Sequence, residues 1–315
     1  MLTALVLTSG VVLAEDVLVF REMCDASAAT AIDDENFLVA DDEENVLRLY
    51  GREGGEPKGK FDLNPFLGAT KKSQEADLEG AAQLGELNFW IGSHGRNSKA
   101  KESLHRQTLF ATKATKKGDT WTVEPVGKPY TSLLEDLLAD ERLQKFGLKA
   151  ASMLAPKSEG ALNIEGLVST SDGHLLIGFR NPLPENKAIV VPLLNPLEVI
   201  EGKQAKLGDP QTIDLGGLGI RSIGRHKGKY LIIAGAYNEE QKPRLFEWAG
   251  DATAPKVAEG IELTGLNPEG LAFRKGDEER YLILSDDGGE SIEGKDCKKL
   301  KDHTLKRFRG TWLAL

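Results

Sequence analysis

Apolar positions along this chain fall into short runs rather than long helical stripes. Phe37-Leu38-Val39-Ala40, Phe89-Trp90-Ile91-Gly92, Leu175-Leu176-Ile177-Gly178-Phe179, Leu231-Ile232-Ile233-Ala234 and Leu282-Ile283-Leu284-Ser285 are separated by segments rich in Gly, Asn, Asp or Pro. Apolar runs of about four to eight residues between such breakers predict short strands. One stretch departs from this. Between Thr131 and Lys157, Leu134, Leu137 and Leu138, then Leu143 and Phe146, recur at helical spacing. Ser132-Leu133-Leu134-Glu135 matches a capping box and Pro156 ends the stretch, so a helical insertion is predicted over 131–157.

The strands repeat in groups. Asp77-Leu78-Glu79-Gly80, Asn163-Ile164-Glu165-Gly166 and Asn267-Pro268-Glu269-Gly270 share a head, each followed by an apolar run, a polar turn and a second apolar run. Asp25-Ala26-Ser27-Ala28 and Gly219-Ile220-Arg221-Ser222 open two further units that lack the Glu-Gly pair. The third head position is thus Ser27, Glu79, Glu165, Arg221 and Glu269, at intervals of 52, 86, 56 and 48 residues, and the insertion accounts for the long interval. A period near 50 residues with about four strands per unit is the pattern of a β-propeller blade. The chain therefore reads as an all-β fold, a β-propeller of five blades, or six if the 185–215 region holds an extra sheet. A pair of β-sandwiches is the rival, but it gives no reason for the repeated head. Val17–Phe20 is placed to pair with the C-terminal run 304–315 and close the ring, since an open edge strand invites aggregation.

Composition narrows the partners. The 315 residues are 40% hydrophobic, enough for a sizeable core, and 40 Lys and Arg against 49 Asp and Glu leave a net charge of −9. That balance argues against nucleic acid or an anionic membrane surface as the main partner. Leu2–Leu13 is almost wholly apolar and Val12-Leu13-Ala14 resembles a signal-peptidase site, so residues 1–14 read as a signal peptide and 15–315 as one propeller domain. A periplasmic or secreted location follows. The absence of Lys or Arg before the apolar run leaves a buried first strand as the alternative. The run is too short for an integral membrane span, which needs roughly 20 residues. In an exported chain Cys24 and Cys297 are free to pair. Two buried thiols are the alternative, because pairing is not readable from sequence.

First strands line the channel of a propeller, so Glu79, Glu165 and Glu269 are expected to converge on its axis. Clustered carboxylates raise one another's pKa unless a cation neutralises them. An all-oxygen ligand set suits a divalent cation, calcium before magnesium, whereas the five histidines show no zinc spacing. Arg96, Arg180 and Arg221, with Asn97 and Asn181 beside them, are candidates to grip an anionic small molecule at the channel mouth. His94 is the candidate proton carrier and Glu165 its catalytic partner. The competing structural reading has the head residues bonding neighbouring blades, Gly80, Gly166 and Gly270 permitting close packing, His94 capping a turn and the arginines pairing with acids. Asp41-Asp42 and Asp286-Asp287 read as turn acids within reach of the mouth, and the basic residues between Lys298 and Arg309 as an exposed face. Phosphate-loop, dinucleotide-loop and serine-elbow motifs are missing from the sequence.

Cys24–Ala28, Phe37–Tyr50, Ile91–Asn97, Asn163–Leu167 and Leu176–Pro182 resemble the bacterial Domain of Unknown Function 3616 proteins, over most of the chain after residue 20. That resemblance implies no activity. The Asx-x-Glu-Gly heads are also similar to those of phytase-like and esterase-like propellers, several of which use calcium, although Ser27 and Arg221 interrupt a full acidic ring. The combined expectation is an exported propeller that binds an anionic small molecule. A calcium ion on Glu79, Glu165 and Glu269 would assist hydrolysis of a phosphoester or ester. The alternative is a non-catalytic ligand-binding or scaffolding propeller.

Overall fold

A computed structural model describes residues 17–71, 74–259, 261, 263, 265–273 and 280–314. The signal-peptide expectation for residues 1–14 lies outside them. Five antiparallel sheets of four strands each follow one another along the chain. Blade 1 is Ala28–Ala31, Asn36–Ala40, Val46–Gly51 and Gly59–Asp62, and blade 2 is Leu78–Leu84, Leu87–Gly92, Leu109–Lys117 and Thr120–Tyr130. Blade 3 is Asn163–Ser169, Leu175–Asn181, Ala188–Leu193 and Gln211–Ile213, and blade 4 is Gly219–His226, Lys229–Gly235, Arg244–Trp248 and Lys256–Val257. Blade 5 combines Pro268–Phe273, Arg280–Ser285 and Arg307–Ala314 with the N-terminal strand Leu18–Arg21. The first strand of each blade contacts the first strand of the next, and blade 5 contacts blade 1, so the inner strands close a ring. The protein is a five-bladed β-propeller. The 185–215 region completes blade 3 and adds no sixth sheet.

Ring closure is carried by strand pairing and aromatic packing. Leu18 pairs with Gly310 and Arg21 with Arg307. Phe20 stacks on Phe308 at 4.8 Å between ring centroids, and the Tyr50 hydroxyl donates to Arg21 O at 2.6 Å. Cys24 and Cys297 form a disulfide beside this joint, with 5.8 Å between their Cα atoms.

Apolar faces of adjacent blades supply the core, one cluster per interface. Ala40, Leu47, Trp90 and Phe110 belong to the cluster between blades 1 and 2, and Ile220, Ile223, Val168 and Val190 to that between blades 3 and 4. The insertion forms helix Leu133–Ala139, the 3-10 turn Glu141–Phe146 and helix Leu148–Ala151, and it buries Leu133, Leu134, Leu137, Leu143 and Leu148 with blades 2 and 3. The capping box is not formed. Ser132 makes no side-chain cap, because its φ of −99° and ψ of 7° are outside the extended geometry that aims an N-cap hydroxyl into the first turn. Helical spacing, a packing property, was the sound signal there. Among the described residues no helix is long and apolar enough to cross a membrane.

Candidate functional site

The head residues owe their direction to a repeated backbone irregularity. In blade 2 Leu78 pairs with Gly92 and Gly80 with Ile91, so Glu79 is skipped by the ladder. Glu165, Arg221 and Glu269 are skipped in the same way in blades 3, 4 and 5. Such a bulge inserts one residue and re-aims its side chain. Four blades thus turn the same head position out of register, and the carboxylate oxygens of Glu79, Glu165 and Glu269 come within 4.8 Å of one another. The glycine after each Glu is needed for packing. A Cβ on Gly80 would lie 2.8 Å from Ile91 Cγ2 and 3.1 Å from Leu167 N of the next blade, and one on Gly166 would lie 2.8 Å from Ile220 Cγ2. Ser27 has the role expected of a ring-holding head: its hydroxyl donates to Leu78 O of blade 2 at 2.6 Å.

Arginines partly neutralise this axis. Arg180 Nη1 donates to Glu165 Oε1 at 2.7 Å, an oxygen that also accepts from Asn163 Nδ2 at 2.7 Å. Arg221 Nη2 lies 2.6 Å from Glu269 Oε2, and its Nη1 donates to Asn267 Oδ1 at 2.8 Å. Glu165 Oε2 is buried and accepts no hydrogen bond, with Arg221 Nε 3.8 Å away. Glu79 is only 8% exposed and makes no hydrogen bond or ion pair among the described residues. Burial, then the charges of Glu165 and Asp77, pushes its carboxyl well above the usual carboxylate range. Burial also raises Glu165, against the lowering effect of Arg180.

The acidic band extends beyond the expected triad. Asp42, Asp77 and Glu79 also bring carboxylate oxygens within 4.8 Å of one another, as do Asp25, Asp41 and Asp42. Asp77 is held by Arg106 Nη1 at 2.9 Å, and the same guanidinium reaches Glu75 Oε1 at 2.9 Å. Burial pushes Asp25 up to about 9, and Asp41 and Asp286 up to about 7, with Asp286 adding to the shift at Asp25 and Glu269 to that at Asp286. Asp42, Asp77 and Arg106 were not among the candidate site residues. Asp77 carried a signal as the first residue of a repeated head, and Asp42 as part of a turn acid pair. Arg106 lies in a connecting loop with no motif around it. The C-terminal basic segment is not wholly exposed either, since Lys306 is buried beside Glu44.

Several expected ligand groups are elsewhere. Arg96 Nε donates to Ser152 O at 2.8 Å and its Nη1 to Ala100 O at 3.0 Å, so this guanidinium ties a loop to the helical insertion rather than joining the axis. Asn97 Oδ1 accepts from Lys99 N and Lys101 N and caps its own turn. Asn181 Nδ2 donates to Ser158 O at 2.9 Å. Arg180 and Arg221 do reach the axis, but each is committed to a glutamate, and Arg180 also donates to Ala236 O. His94 is buried with φ 56°. Its Nδ1 lies 2.8 Å from Gly92 O, which fixes the proton there, and its Nε2 has no partner. Burial lowers its pKa to about 4, so the imidazole is neutral at physiological pH.

Structural comparison returns several propeller proteins at low identity. Glutaminyl cyclase of Myxococcus xanthus matches with a TM-score of 0.49 at 11% identity, over 96% of this chain and 96% of that one. A PQQ-bound aldose sugar dehydrogenase of Streptomyces coelicolor gives 0.43 at 12% identity, over 95% and 98%. At these identities nothing about ligand or reaction passes to this chain. No curated protein matches it by sequence. The model of the family described as "Protein of unknown function (DUF3616)" matches residues 25–117 and 101–267, most of the chain, and the protein belongs to that family.

Proposed function

We propose that this protein is an exported propeller that holds a divalent cation at Glu79, Glu165 and Glu269 and uses it to bind an anionic small molecule at the channel mouth. The observation that carries the reading is Glu79, a buried carboxylate with no donor whose oxygen lies within 4.8 Å of those of Glu165 and Glu269. Ca²⁺–O distances of about 2.3–2.6 Å allow one ion to touch oxygens at that mutual separation, and an all-oxygen donor set favours calcium over zinc. Glu165 Oε2 offers a free lone pair. Three carboxylates against two arginines leave a residual negative charge for the ion to offset. Because Arg180 and Arg221 are engaged, the anion would be held by open positions on the metal rather than by an arginine fork. The Cys24–Cys297 bridge supports a periplasmic or secreted setting, where disulfides persist.

A bound cation would supply Lewis-acid polarisation for hydrolysis of a phosphoester or ester. His94, neutral and with Nδ1 committed to Gly92, is a poor proton carrier as folded, so binding rather than turnover is the primary reading. The test titrates calcium into chelator-stripped protein, following melting temperature and bound calcium, in wild type, Glu79→Gln and Glu165→Gln. A calcium-dependent stabilisation that both variants weaken is expected. An undiminished calcium response in both variants sinks the axial site. Nitrophenyl phosphate and acetate assays on the same samples decide hydrolysis, which requires turnover that chelation abolishes.

A further inference from the structure

We infer that a second divalent cation binds where the ring closes, held by Asp25, Asp41 and Asp42. These residues are distinct from the axial ligands, but Asp42 also comes within 4.8 Å of Glu79, so Asp25, which shares no cluster with an axial glutamate, separates this inference from the axial site. Asp25 follows the disulfide-bonded Cys24 and forms a β-bridge with Asp286 of blade 5, whereas Asp41 and Asp42 follow the second strand of blade 1. The three carboxylates therefore meet at the junction between the first and last blades. Their oxygens lie within 4.8 Å of one another, a separation that one Ca²⁺ with oxygens at about 2.3–2.6 Å can bridge.

Two observations besides the clustering point to a ligand. Asp25 is 3% exposed, yet its carboxylate makes no hydrogen bond or ion pair among the described residues. Asp42 Oδ1 is buried and has no partner. Asp41 Oδ1 is satisfied by Glu43 N at 2.8 Å, which orients that carboxylate. Nearby cations offset the cluster only from a distance: Lys298 acts on Asp25 and Asp42, and Arg48 and Lys306 act on Asp41, while their ion pairs are with Glu44 at 2.7 Å for Arg48 and 3.9 Å for Lys306, and with Glu43 at 3.7 Å for Lys298. Two buried acids and the half-buried Asp42, none with a cation in contact, are costly unless protonated or metal-bound. Gly288 shapes the pocket, because a Cβ at that position would overlap Asp25 Oδ1. The site would take a hard cation, calcium again, and would tie blade 1 to the closing blade.

The experiment counts calcium bound per chain by equilibrium dialysis of the full-length protein, with wild type, Asp25→Asn, Asp42→Asn, Gly288→Ala and Glu165→Gln in parallel. Two ions in wild type are expected. Asp25→Asn, Asp42→Asn and Gly288→Ala should each lose one ion and part of the calcium-induced rise in melting temperature. The asparagine variants remove carboxylates that nothing satisfies, so their metal-free melting temperatures should equal or exceed that of wild type, which separates site loss from misfolding. A calcium count and thermal response identical to wild type in Asp25→Asn and Asp42→Asn overturn the seam site, whatever Glu165→Gln does. If Glu165→Gln alone retains the full count, the axial site falls and the seam site stands.

Discussion

Arg221 occupies the head position that is glutamate in blades 2, 3 and 5, and its guanidinium lies between Glu165 and Glu269. Both faces of that interaction are dry, so removing the cation takes the arginine from buried Glu269, while Glu165 keeps Arg180. Arg221→Met should cost about 3–5 kcal/mol in urea unfolding, the range for breaking one side of a buried pair. A loss below about 1 kcal/mol would show that the pair is solvated. The raised carboxyls make a further prediction. An acid whose pKa is higher folded than unfolded binds more protons in the native state, so its contribution to stability is lost as pH rises. Asp25 rises to about 9 and Asp41 and Asp286 to about 7, so metal-free protein should become steadily less stable between about pH 4 and pH 9. Calcium competes with protons for the same oxygens and should flatten that slope. Melting temperatures across this range, with chelator and with calcium, check both statements.

At the scale of strands and turns, the bulge at the head of four blades is the device that builds the axis. Alternation alone would carry a head residue into the ladder, and the extra residue turns it out. The sequence showed the bulge only indirectly, as Glu-Gly pairs whose glycine has a packing reason. Gly166→Ala places a Cβ 2.8 Å from Ile220 Cγ2 and 3.0 Å from Gly178 Cα, so a destabilisation of about 1–3 kcal/mol is expected by thermal unfolding. Unchanged stability would mean that blades 3 and 4 are free to move apart. The insertion is legible from the periodicity of Leu134, Leu137 and Leu138, but the capping box expected at its first turn is not formed. A capping box is a residue pattern that forms only when the N-cap backbone is extended, and Ser132, at φ −99° and ψ 7°, is not.

Across the whole molecule, stability depends on closing a ring whose ends are far apart in sequence. The Cys24–Cys297 bridge spans 273 residues and sits beside the pairing of Leu18–Arg21 with Arg307–Ala314. Reduction should lower stability by about 2–5 kcal/mol, read as a fall in melting temperature with dithiothreitol. An unchanged melting temperature would assign closure to the strands and to the Phe20–Phe308 stack alone. Periodicity, breaker residues and head spacing determined the fold class, the repeated units, the closing strand and the presence of glutamates on the axis, because these depend on local pattern and on repetition; that the 185–215 region completes a blade and makes the count five was decided by the tertiary structure. Only the tertiary structure decided which groups face one another. It drew Arg96 and Asn97 into loop contacts, committed Arg180 and Arg221 to glutamates, sealed His94, paired the cysteines and brought Asp25, Asp41, Asp42 and Asp77 into the acidic band. Burial and charge pairing are set by neighbours from other blades, and no stretch of one blade's sequence contains them.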